Sequence, residues 1–216
     1  MTCGQKNLHC SKVDSNVPEF DLTLRTSAFS LIELLAVAAI ILIITTLYWG
    51  GKSGSRDKQK QAVCSQNLER LFISLEIYGN EHAGKFPEKT GATNSAEALD
   101  LLVPKYTADT SMFICPASKD SPLPGGESIA RHQISYAYYM GRRGKEPQEA
   151  LLTDKQINNL SKTQGQLVFS ATGNPPGDNH GKLGGNVLFC DGHADATTPI
   201  SGFSLVLTQG VVLLNP

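Results

Sequence analysis

From residue 29 to residue 49 the chain runs through 21 positions, of which only Ser30, Glu33, Thr45 and Thr46 are not apolar. As a helix rising about 1.5 Å per residue, such a run is roughly 30 Å long, the thickness of a bilayer's hydrocarbon core. The remainder is polar, and 20 Gly and 11 Pro in 216 residues leave it little apolar surface with which to bury a rod. A membrane-spanning helix is therefore expected over 29–49, with Tyr48 and Trp49 placed where an interfacial aromatic belt would sit.

The 28 residues before the run are not a secretory signal peptide. That would have a shorter apolar core and small residues after it, whereas here Ser27 and Ala28 precede the run. Lys6, Lys12 and Arg25 in this leader place the N-terminus on the cytoplasmic side, although Lys52, Arg56, Lys58 and Lys60 follow the run. Across the whole chain 19 basic residues meet 20 acidic ones, a net charge of −1, so no basic field for nucleic acid exists.

Gly50, Gly51 and Gly54 weaken any helix that continues past the run, and a hinge is expected there. Beyond it, Leu68, Leu71, Phe72, Leu75 and Tyr78 fall on one helical face, the pattern of an amphipathic helix packed on a core. Gly79, Gly84 and Phe86-Pro87 end that helix. Ser95 is positioned to cap a short helix running to Leu102. Strands are expected at 111–115, 134–140, 166–171, 186–190 and 193–197, with Asp191-Gly192 as a two-residue hairpin turn. The apolar stretches 203–207 and 211–214 suit an edge strand or tail packing.

The fold class expected from these elements is α+β: a lollipop whose long N-terminal helix, transmembrane and then amphipathic, packs on a small antiparallel sheet. Four segments follow: a leader (1–28), a transmembrane or filament-core helix (29–49), a hinge and stalk helix (50–81) and an extracytoplasmic globular domain (82–216).

One cluster could carry chemistry. His180, Asp191, His193 and Asp195 offer two imidazoles and two carboxylates, enough for a zinc or iron shell. The same residues also suit plain turn chemistry, with Asp191 closing the hairpin and His180 bonding loop backbone. No serine sits in a nucleophile elbow, and the glycines between 181 and 185 follow no buried strand, so hydrolase and phosphate-loop readings lack support. The chain is expected not to be an enzyme.

Glu33 is out of place in an apolar helix, where mid-bilayer burial of a carboxylate costs about 2.5–3.5 kcal/mol. Either the helix start relieves it, or it meets a positive group once copies of the chain pack together. With its neighbours it forms Ala28-Phe29-Ser30-Leu31-Ile32-Glu33-Leu34-Leu35, which closely resembles the class III signal of type IV prepilins and type II secretion pseudopilins. The resemblance implies that prepilin peptidase cuts between Ala28 and Phe29 and that the new amine is methylated. Glu33, then the fifth mature residue, would neutralise the terminal amine of a neighbouring subunit. Ala28 stands where the family usually has Gly.

Cys64-Ser-Gln-Asn-Leu-Glu-Arg-Leu, with Tyr78 and Phe86-Pro87, is similar to the stalk of G-type pseudopilins. Cys115-Pro116, Ser135-Tyr-Ala-Tyr138 and the stretch from Asn179 to His193 resemble the H-X9-DG group of prepilin-processed proteins, with ten residues instead of nine between His180 and Asp191. The likeness implies a structural subunit of a type II secretion or pilus-like filament. It would be held in the inner membrane with its C-terminal domain periplasmic or extracellular. Its partners would be prepilin peptidase, copies of itself and other pilin-like subunits, the inner-membrane assembly platform and membrane lipid.

A calcium site like that of major pseudopilins is one implied cofactor, with Asp178, Asn179, Asp191 and Asp195 as oxygen donors. The alternatives to a filament subunit are a membrane-tethered metal-binding module or metalloenzyme, and a minor adhesive pilin. With Cys3 and Cys10 in the leader, Cys64, Cys115 and Cys190 remain, and an oxidising compartment would join one pair. Cys64 with Cys115 and Cys115 with Cys190 both stand as pairings. The resemblance, which covers the segments of Cys64 and Cys115, favours the first.

Overall fold

Leu68, Leu71 and Leu75 are fully buried along one face of helix α2 (Ser53–Glu81), with Phe72 and Tyr78 packed partly buried beside them. That stripe is the seam anticipated from its spacing, and it docks on a five-stranded antiparallel sheet. The structure is a computed structural model of the chain that describes residues 30–49 and 53–216. Ala28 and Phe29 of the expected processing site, and residues 50–52 of the expected hinge, lie outside them. The chain divides into two compact units, Met1–Gly50 and Gly51–Pro216.

In the first unit, helix α1 (Leu31–Trp49) exposes every side chain from residue 31 to 46. Thr45 and Thr46 turn their hydroxyls back onto the carbonyls of Leu42 and Ile43, at 2.9 and 2.8 Å, so neither presents a free polar group. Glu33 is the acidic residue of its first turn.

The second unit is built on strands β1 (Tyr136–Met140), β2 (Ala150–Asp154), β3 (Gly185–Phe189), β4 (Ala194–Thr197) and β5 (Val212–Leu214), in the order β4-β3-β2-β1-β5. Both faces of the sheet are covered. Tyr136, Tyr138, Leu152 and Leu188 join the core beneath α2, while Ala137, Tyr139, Val187 and Phe189 point to a second core with Val168, Phe169 and Leu205. The alternation within β1 is the period of two that sends neighbouring side chains to opposite faces. A short helix, α3 (Ser95–Leu99), and two 3-10 turns, Asp100–Leu102 and Thr110–Phe113, close the edge of the first core.

The expected α+β lollipop with a single long helix, transmembrane and then amphipathic, on a small sheet is corrected. Among the described residues α1 and α2 are separate helices assigned to different units, and no helix is long and apolar enough to cross a membrane. Between Glu33 and Thr45 the unbroken apolar stretch is 11 residues. That is about 16 Å of helix against a hydrocarbon core of roughly 30 Å. The sheet has five strands but not the five anticipated: β2 and β5 belong to it, and 111–115 and 166–171 do not.

Smaller differences have local causes. The segment 111–115 enters a 3-10 turn rather than a strand, and Asp109 caps it by accepting the Ser111 N–H at 3.0 Å. Residues 166–171 contribute only a single bridge, Leu167 to Ile200. Asn94, not Ser95, caps α3, accepting the Glu97 N–H at 2.9 Å, and frees the buried Ser95 hydroxyl to donate to the Tyr136 carbonyl at 2.7 Å. Gly79 lies within α2, which runs on to Glu81.

The β3–β4 turn has three residues, not two. Gly192 donates to the Phe189 carbonyl and Phe189 to the His193 carbonyl, both at 3.0 Å. Gly192 alone has positive φ, at 91°, as in a type I turn followed by a glycine bulge. A Cβ there would lie 2.5 Å from the Phe72 ring of α2, so the glycine also lets the helix seat on the hairpin.

A candidate metal centre

Where α2 crosses the sheet, four chain segments each deliver one ligand-bearing side chain to the same point. Cys64 comes from α2, Cys115 from the loop after the 3-10 turn Thr110–Phe113, Asp154 from the end of β2, and His180 from the residue before the 3-10 turn Gly181–Leu183. All four are buried, and one ligand atom from each lies within 4.8 Å of the other three. These residues could hold a metal ion.

The cluster is held from outside as well as within. Asp154 Oδ1 accepts from Asn179 Nδ2 at 2.7 Å and from the Cys64 thiol at 3.2 Å. Its Oδ2 accepts the Asn186 backbone N–H at 2.7 Å and faces His180 Nε2 at 3.2 Å. Cys115 Sγ lies 3.4 Å from the same His180 nitrogen and accepts the Ala117 N–H at 3.4 Å. The Tyr136 hydroxyl meets Cys64 Sγ at 3.2 Å. Asn179 also donates to the Ser135 carbonyl at 2.7 Å, and Asn186 Nδ2 to the Gln61 carbonyl of α2 at 3.1 Å, which ties both supports to fixed backbone.

The four groups shift one another's ionisation in opposite directions. Burial opposes ionisation of Asp154, but the adjoining His180 and the bonds from Asn179 and Asn186 outweigh it and hold the carboxyl below its ordinary range. Burial likewise pulls His180 down, and Asp154 and Cys115 more than reverse this, raising it to about 10. The hydrogen bond from Cys64 is the main influence bringing Cys115 down to about 6, with His180 adding to it against the cost of burial. Cys64 moves the opposite way, upward, chiefly through burial.

Cysteine, histidine and aspartate together suggest a nucleophilic triad, but the geometry is not one. A relay needs the base to face its nucleophile with one ring nitrogen and its orienting carboxylate with the other. Here Cys115 and Asp154 both converge on Nε2, while the buried Nδ1 has no partner among the described residues. A sulfur, a carboxylate oxygen and an imidazole nitrogen that meet at one point, with Cys64 beside them, suit a shared ion better than a relay.

Of the residues singled out from sequence, the fold brings His180 and Asn179 into this cluster, Asn179 as a support for Asp154. Asp191, His193 and Asp195 lie away from it on the β3–β4 hairpin, where Asp191 and His193 form an exposed hydrogen-bonded pair and the His193 ring stacks on Phe189 at 4.3 Å. Asp178 lines a separate cleft of about 420 Å³ together with Asp120 and Lys155. Cys64 and Cys115 are brought together as expected partners, but as free thiols, and Cys190 is a third buried free thiol. Asp154 was not anticipated. Its one signal is an acidic residue closing the apolar run Ala150-Leu-Leu-Thr-Asp154.

No family model, curated protein or solved structure matches this chain.

Proposed function

We propose that the chain is a non-catalytic structural subunit of a pilus-like or secretion filament, cut before Phe29 by prepilin peptidase and assembled through α1. One observation carries this: α1 is exposed and, between Leu34 and Ile44, apolar on every side, and the hydroxyls of Thr45 and Thr46 bond its own backbone. Large exposed apolar surfaces mark association sites, and a helix apolar all round needs neighbours on every side. Copies of α1 supply that environment in a filament core. Glu33 then has a function, since pairing its carboxylate with a neighbour's terminal amine removes the cost of burying either charge alone. A location outside the cytoplasm for the second unit belongs to the same proposal.

The Glu33→Val chain, expressed in place of the native one, is expected to enter sheared filaments at least about tenfold less, as loss of roughly 1.4 kcal/mol or more would dictate. Glu33→Asp should restore part of the loss. Equal incorporation of Glu33→Val and native chain would remove the charge-pairing account.

The buried cluster favours a metal-binding role alongside assembly. Calcium does not suit it, because that ion takes six to eight oxygen ligands and only Asp154 of the four offers oxygen.

A further inference from the structure

We infer that Cys64, Cys115, Asp154 and His180 form a closed, structural zinc site that fastens α2 to the sheet. The donor set selects the metal. Two sulfurs, an imidazole nitrogen and one carboxylate oxygen suit a borderline-soft ion of tetrahedral habit, and four buried protein ligands leave no open position for substrate. The spacing agrees. Bond lengths of about 2.3 Å to sulfur and about 2.0–2.2 Å to nitrogen and oxygen imply tetrahedron edges of about 3.4–3.8 Å. The observed separations are 3.2 Å for Cys64 Sγ to Asp154 Oδ1, 3.2 Å for His180 Nε2 to Asp154 Oδ2 and 3.4 Å for Cys115 Sγ to His180 Nε2, so the ligands move slightly apart to admit the ion.

Two of the four ligands carry the outer hydrogen bonds that such a site uses, while His180 Nδ1 has no partner among the described residues. Metal-ligating carboxylates and thiolates are oriented by outer hydrogen bonds. Asn179 and the Asn186 N–H fix Asp154, and the Ala117 N–H reaches Cys115 Sγ from two residues further along the chain. Binding forms two zinc–sulfur, one zinc–nitrogen and one zinc–oxygen bond. Both sulfurs bind as thiolates, and any proton still on Cys64, Cys115 or His180 Nε2 leaves to solvent. Because the four ligands come from four segments between residues 64 and 180, the ion cross-links α2, two loops and β2. Its binding energy is then part of the folding energy of the second unit. The proposal is independent of assembly through α1, and either could fail without the other.

The full chain, purified in detergent without chelators from cells supplied with zinc, iron and calcium, is the material for the test. Elemental analysis should find about one zinc per chain, absent in Cys115→Ser and retained in His193→Ala, whose imidazole lies on the exposed hairpin. Since Cys115→Ser could fail to fold, the native chain is also stripped of metal and titrated with cobalt(II). Thiolate-to-cobalt charge-transfer absorption and strong visible bands of tetrahedral cobalt are expected, saturating at about one equivalent and abolished by zinc. No bound metal, iron or calcium in place of zinc, octahedral cobalt spectra, or a Cys64–Cys115 disulfide in the isolated protein would each overturn the proposal.

Discussion

Asp154→Ala is expected to lower the unfolding free energy of the second unit by about 3–5 kcal/mol, measured by urea denaturation of the full chain in detergent. The carboxylate is wholly buried and ties together Cys64, Asn179, the Asn186 N–H and His180. Alanine leaves the Asn186 N–H and one Asn179 donor bond unmet. It also strips the raised imidazole of His180 of its negative partner. Removing one member of a buried pair costs this much because the other is left uncompensated. Asp154→Asn should cost less but not nothing. It keeps the volume, yet places an NH2 against one of the donors that the carboxylate accepted. A loss below about 1 kcal/mol for the alanine variant would mean that the cluster does not hold this part of the fold together.

Gly184→Ala is expected to be nearly as damaging, at about 3 kcal/mol or more, by a purely steric route. Gly184 has φ 100° and ψ −132°, a conformation effectively confined to glycine. A Cβ built there would lie 2.0 Å from the Thr197 carbonyl oxygen and 2.5 Å from the Thr198 carbonyl carbon, both backbone atoms that cannot rotate aside. The residue immediately precedes β3 beside the end of β4, so relief of the clash requires the two chains to part there. Gly84→Ala is the matched control. Gly84 also has positive φ, at 77°, but nothing lies within 4 Å of its Cβ position, so it isolates the conformational cost from the collision. Comparable losses at the two positions in thermal unfolding would show that the close approach of β3 and β4 carries no special weight.

What could be read beforehand divides along physical lines. The stripe from Leu68 to Tyr78 was legible because one face of α2 is buried and the other exposed, which writes a helical period into the sequence. Gly192 was legible because a hairpin needs positive φ somewhere, although the length of the turn was not. Strand β2 carried no such mark. Ala150 to Asp154 are all buried, with the sheet covered on both faces, so no alternation of polar and apolar residues survives.

The site was hidden for a related reason. Cys64, Cys115 and His180 could each be picked out by residue type. Asp154, however, reads as the end of an apolar run, and only the pairing of β2 between β1 and β3 carries it beneath α2. Sequence proximity instead joined His180 to Asp191, His193 and Asp195, which the hairpin carries out to the surface. For α1, the expected span was counted over every residue from 29 to 49. The interruptions by Glu33 and Thr45-Thr46 decide how much of it is unbroken.

The account rests on α1 being an assembly helix released by processing, and the mass of the N-terminal peptide of the protein as the cell holds it tests this most directly. A peptide beginning at Phe29 with a methylated amine is the predicted result. A chain still starting at Met1, or one cut beyond residue 49 and so lacking α1, would contradict it.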